Sequence, residues 1–94
     1  MQVLVEFNGI ARILSGAQQH LLTLEDTATF RDVLHHLGAA YPPLLGQVLT
    51  ADGGALIGSN MLNRNGKEMI RPEALDTSPH DGDRLILMSI MAGG

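Results

Sequence analysis

The sequence predicts an α+β roll: a mixed sheet of about four to five strands with one main helix packed across one face. Three observations lead there. The first and last apolar segments, Val3 to Phe7 and Leu85 to Met88, are strand-like and the most hydrophobic stretches of the chain. One clean amphipathic helix lies between them. Two strong turn signals, Asn65-Gly66 and Asp81-Gly82-Asp83, cut the rest into short pieces. Strands that apolar sit centrally, and two central strands joined through a helix-bearing connection run parallel.

Each element has its own warrant. Val3, Val5 and Phe7 alternate with Gln2, Leu4 and Glu6, the period of a strand with one face inward. Asn8-Gly9 ends it. The stretch from Ile10 to Gln19 is ambiguous, with Ser15-Gly16 as a turn signal. Leu22 and Leu24 flank Thr23 as a second strand, antiparallel to the first across a long connection. Thr29 is a good N-cap, with Asp32 at the capping-box position and in the turn that the helix dipole favours for negative charge. Phe30, Val33, Leu34 and Leu37 then form one apolar stripe. Gly38 ends this helix or lets it run towards Tyr41, and Pro42-Pro43 forbids anything further. Leu44 to Gly58 is irregular, with Leu45, Val48 and Leu49 spaced for a helical turn. Met61 to Asn63 and Lys67 to Ile70 flank Asn65-Gly66 as a hairpin, because both turn residues tolerate positive φ. The stretch from Pro72 to Pro79 is a loop with a turn of helix at Glu73 to Leu75, and Asp81-Gly82-Asp83 turns into the last strand.

That last strand is the organising feature. Leu85 to Met88 is continuously apolar, as in a short strand covered on both sides. Leu85 and Leu87 point one way, Ile86 and Met88 the other. With the helix over the Leu85 side, Ile86, Met88 and Ile90 are expected to form an apolar partner-binding patch on the open face; the alternative is that both faces are core. The side chains then shrink to Ala92, Gly93 and Gly94. Glycine passes through narrow channels and tolerates backbone geometries closed to other residues. At ~7% glycine usage, two terminal glycines arise by chance in about 0.5% of chains. The expected organisation is a single domain over residues 1–88 and a tail over residues 89–94.

Composition removes several function classes. With 94 residues, the chain is one domain whose core must be aliphatic, since its aromatic residues are Phe7, Phe30 and Tyr41. The net charge of −4 and the lack of any basic run argue against nucleic acid or an anionic membrane as partner. The absence of cysteine excludes disulfides, thiolate metal sites and a cysteine nucleophile. No apolar run approaches the ~20 residues of a membrane span. Met1 leads directly into a strand-like segment rather than a leader, so a cytoplasmic protein is expected.

Val3-Leu4-Val5 with Phe7, Thr29 heading the helix, Tyr41-Pro42, Asn65-Gly66, Asp81-Gly82-Asp83 and Gly93-Gly94 occur in an order that resembles the ubiquitin-like β-grasp family. Within it, the pattern is most similar to the sulfur carriers: the small subunit of molybdopterin synthase and the thiamin sulfur carrier. The spacing from Asp81-Gly82-Asp83 to Gly93-Gly94 is its most specific element. Ser89-Ile90 departs from it, standing where the small subunit often has prolines, and the stretch from Leu44 to Ser59 is longer than in the compact carriers. The resemblance implies that an ATP-dependent activating enzyme adenylates the Gly94 carboxylate. A sulfur donor then makes a thiocarboxylate, and an acceptor such as the large subunit of molybdopterin synthase takes the sulfur. Gly93 and Ala92 are the slim leader for that group. The chain itself is a non-catalytic carrier with no permanently bound cofactor. A protein modifier joined to lysines through Gly94, a thiamin-type carrier, and a binding module with an inert terminus are the competing readings.

Other polar residues read as structural. His35-His36 are adjacent on a helix, point ~100° apart and cannot chelate together, so no metal site is expected. His20 and His80 lack ligand partners at useful spacing. Asp81 and Asp83 belong to a turn rather than an acid–base pair. Gly53-Gly54 is followed by no Gly-Lys-Ser/Thr and is not a phosphate loop. Arg12 and Arg64 read as solvated surface charges.

Overall fold

The computed structural model describes residues 1–89. Five strands, β1 (Gln2–Phe7), β2 (Gln19–Thr23), β3 (Asn60–Arg64), β4 (Glu68–Ile70) and β5 (Arg84–Ser89), form one sheet in the order β2-β1-β5-β3-β4. β1 and β5 are parallel and all other pairs are antiparallel. The two most apolar strands thus sit side by side near the middle, as the sequence predicts. Two helices complete the fold: α1 (Ile10–Ser15) and the main helix, α2 (Phe30–Ala40).

α2 starts as its sequence dictates. The Asp32 N–H donates to Thr29 Oγ1 at 3.1 Å, and the Thr29 N–H donates to Asp32 Oδ2 at 2.9 Å. Both bonds satisfy backbone donors at the helix start, and the Thr29 N–H, with the Thr29 hydroxyl, holds the Asp32 carboxyl below the usual carboxylate range. Phe30, Val33, Leu34 and Leu37 are buried against Val3, Val5, Phe7, Leu62, Leu85 and Leu87 in one core. The helix passes through Gly38 and ends at Ala40. A Cβ on Gly38 would stand 2.8 Å from Leu45 Cδ2, so glycine there serves close packing rather than termination.

The irregular stretch after α2 completes the core. A 3-10 turn at Pro42–Leu44 precedes a single hydrogen-bonded turn in which the Val48 N–H donates to the Leu44 carbonyl at 2.9 Å, and Leu44, Val48 and Leu49 are all fully buried. Arg31 ties α2 to this stretch and to the next loop: its Nη1 donates to the Gly54 carbonyl at 2.6 Å and its Nε pairs with Asp76 at 2.8 Å.

α1 lies in the stretch that the sequence leaves ambiguous. Ser15-Gly16 marks its end, with Gly16 at φ +69° and its N–H donating to the Arg12 carbonyl at 3.0 Å. A six-residue helix shows under two turns of periodicity, too few for a pattern to emerge.

The turn before β5 does more than reverse the chain. Asp81 Oδ1 accepts from the Gln2 N–H at 2.7 Å, and the Gly82 N–H donates to the Gln2 carbonyl at 2.8 Å. Asp83 is buried at 6% exposure. It accepts from the His80 N–H at 2.7 Å and from Asn65 Nδ2 at 3.0 Å, and it forms an ion pair with Arg64 Nε at 2.9 Å. Burial pushes its carboxyl up, but these hydrogen bonds and the Arg64 charge outweigh it, leaving the group below its ordinary value. Arg64 is therefore not the solvated charge that the sequence suggests. Its side chain is 18% exposed, 6.0 Å from the Phe30 ring centroid and close to Glu68 at 3.4 Å. The pairing comes from long-range register, which places hairpin β3–β4 beside the start of β5 and has no local signature.

Candidate functional site

The site is built on β5. Its register pairs Glu6 with Ile86 and Phe7 with Leu87 on one side, and Asn63 with Ile86 and Met61 with Met88 on the other. Strand alternation then decides the exposure. Leu85 and Leu87 are fully buried in the core, whereas Ile86 and Met88 are half-buried on the face away from α2. Ser89 is still in the strand, opposite Asn60, and its Oγ lies 2.9 Å from Ser59 Oγ. Ile90, Ala92, Gly93 and Gly94 lie outside the described residues.

Around Ile86 and Met88 the open face gathers residues that local sequence does not connect. Leu4, Leu21, Met61, Asn63 and Met69 occupy the same-side positions of the neighbouring strands. Leu21 and Met69 are exposed. Asn63 is only 8% exposed: its Nδ2 lies 3.6 Å from Met69 Sδ, and its Oδ1 has no hydrogen-bond partner within the described chain. Strand pairing alone could have placed these side chains beside Ile86 and Met88. Alternation within one strand does not supply the register.

From Met61 and Met69 an apolar groove of about 290 Å³ continues past Leu56, Ile70 and Pro72. A wider hollow of about 420 Å³, lined by Glu25, Asp32, His35 and His36, lies beside the start of α2, at the far end from Ser89. Among the described residues, no group of three or more His, Asp or Glu could hold a metal ion. His35 and His36 are both exposed, and His35 packs against the Gly53-Gly54 turn. His20 Nδ1 lies 2.7 Å from the Tyr41 hydroxyl, tying β2 to the end of α2. No helix among the described residues is long and apolar enough to cross a membrane.

A five-stranded mixed sheet wrapped on one helix, with a central C-terminal strand and an open apolar face, defines a ubiquitin-like β-grasp protein. The comparisons agree. Small archaeal modifier protein 3 of Haloferax volcanii is 31% identical over 94 residues, covering all of both chains. The crystal structure of small archaeal modifier protein 1 from Haloferax volcanii superposes with a TM-score of 0.82 at 26% identity over 100% of both chains. The solution structure of its namesake from Methanosarcina acetivorans gives 0.77 at 27% identity, covering 99% of this chain and 96% of that one. The ThiS family matches residues 5–94, and this chain belongs to it.

Proposed function

We propose that the working group of this protein is the Gly94 carboxylate, carried by a rigid roll and processed by other enzymes. An ATP-dependent activating enzyme adenylates it, with pyrophosphate leaving. A sulfur nucleophile then displaces AMP to form a thiocarboxylate, which an acceptor consumes. The large subunit of molybdopterin synthase is the acceptor in the version of this reading closest to the sequence pattern, and the setting is the cytoplasm. A carboxylate is a poor electrophile until its oxygen becomes a leaving group, which is what ATP supplies. Ala92 and Gly93 add almost no width before it. On the sheet, Ile86 and Met88, with Ile90 beyond them, form the partner face. One observation carries this reading: the strand that leads to the tail is the sheet's central strand, flanked on its open side by uncovered apolar residues. Incubation with the activating enzyme, ATP and a sulfur donor should raise the intact mass by one sulfur-for-oxygen exchange. An unchanged mass with an enzyme proven active on its own carrier would contradict the proposal.

The second reading, a protein modifier joined to lysines through Gly94, is supported by the end-to-end match to a small archaeal modifier protein at 31% identity. Both readings share the activation step. Higher-mass conjugates in cells, lost on deleting Gly94, favour tagging. Their absence alongside a thiocarboxylate favours sulfur delivery.

A further inference from the structure

β1 and β5 are parallel and end together: the Asn8 N–H donates to the Leu87 carbonyl at 3.0 Å. α1 follows at once, so it sits at the end of the roll where β5 stops, packed against β5 and the Pro42–Leu44 turn. Segments 8–18, 41–49 and 57–60 surround this end. Of the ten acidic and six basic side chains in the protein, Arg12 alone falls within them. The opposite end carries Asp26 against the N-terminal ammonium, and the Asp81 and Asp83 turn. An acidic protein therefore keeps the surroundings of the end of its last strand almost free of charge.

That end is also unusually apolar for a water-facing surface. Four large apolar side chains are exposed among the described residues, and two of them, Ile10 at 45% and Ile13 at 76%, lie on the six residues of α1. Three positions apart on a helix, they share one side. The core takes Ala11 instead. Single exposed apolar residues are ordinary, but a paired ridge on so short a helix, in an uncharged setting, is the composition of an interface core.

The occupant follows from the chain beyond Ser89. Five residues separate Ser89 from the end of the chain and span at most about 17 Å when extended. An enzyme holding the Gly94 carboxylate in its active site brings its surface within that distance of Ser89, over the end that α1 occupies. We infer that Ile10 and Ile13 form a docking ridge for the enzyme that activates Gly94, separate from the sheet face of Ile86 and Met88. The inference rests on the activation reading above. It assigns that enzyme an apolar, weakly charged rim around the channel that admits the tail.

The test is ATP–pyrophosphate exchange by the purified activating enzyme at varied concentrations of carrier. Ile13→Asp and the Ile10→Ser/Ile13→Ser double variant should raise the carrier KM roughly ten-fold or more with kcat within about two-fold, the pattern of lost docking rather than lost chemistry. Ile13→Leu should restore the wild-type KM. Thermal melting should be unchanged for Ile13→Asp. A KM within about two-fold of wild type for both variants, while Met88→Asp still raises it, overturns the ridge and leaves the activation reading standing. No exchange with the wild-type carrier overturns both. A concentration-dependent dimer in sedimentation, abolished by Ile13→Asp, reassigns the ridge to a second copy and overturns the inference.

Discussion

Replacing Asp83 with alanine tests the buried network that seats β5. Asp83 accepts two hydrogen bonds, from the His80 N–H and Asn65 Nδ2, and pairs with the Arg64 guanidinium, at 6% exposure. Bonds to a charged group contribute about 1.5–3 kcal/mol in favourable cases. Breaking a buried pair costs about 3–5 kcal/mol because the remaining charge is stranded. Arg64 keeps Glu68 at 3.4 Å and retains 18% exposure, which places the expected loss near the lower bound, at about 3 kcal/mol. For a domain of this size that lowers Tm by roughly 12–24 °C. Asp83→Asn should lose nearly as much, since its amide turns a donor towards other donors.

The pH dependence has a definite sign. A carboxylate with a depressed folded-state pKa contributes stability that is fully present above the unfolded value of about 3.9 and is lost as pH falls through the folded value. Urea unfolding of wild type and Asp83→Ala should therefore differ fully at pH 7 and converge in strong acid. A difference below about 1 kcal/mol at pH 7, or one independent of pH, refutes the reasoning.

Four further outcomes follow from the same geometry. Thr29→Ala removes the N-cap acceptor of α2 and should cost about 1 kcal/mol by urea unfolding. Gly66→Ala places a Cβ at φ +72° in the β3–β4 turn, 3.4 Å from Arg84 Nη2, and should cost about 1–2 kcal/mol in the same assay. Asn63→Leu removes a buried carbonyl oxygen without a partner, so melting should show it neutral or stabilised, by up to about 1 kcal/mol. Met88→Asp sits on the half-exposed face; it should change stability by under about 1 kcal/mol yet weaken binding of the activating enzyme by roughly ten-fold or more in calorimetry.

The legible parts of this fold were those with local causes. Thr29 and Asp32 announce a helix start, Asn65-Gly66 supplies two positive φ angles at +58° and +72°, and the apolar density of β1 and β5 announces central parallel strands. Leu85 and Leu87 against Ile86 and Met88 follow from alternation alone. What escaped depends on register. Arg64 looks like any surface arginine until the sheet brings it to Asp83, nineteen residues further along the chain. Asn63 and Met61 join the open face only through pairing with β5. α1 escaped because six residues are too few to show a period, and with it went the Ile10 and Ile13 ridge. The Leu44 to Ser59 stretch was opaque because its buried apolar residues, Leu44, Val48 and Leu49, span little more than one turn, too short a run to establish a period.

The most direct test of the account compares the whole chain with one ending at Gly93 and one carrying an alanine after Gly94. All three are assayed for ATP–pyrophosphate exchange with the purified activating enzyme. Exchange with the whole chain, and a collapse to background for the other two at unchanged Tm, is the predicted result. Equal exchange by all three would contradict the claim that the Gly94 carboxylate, at that position, is the group the enzyme activates.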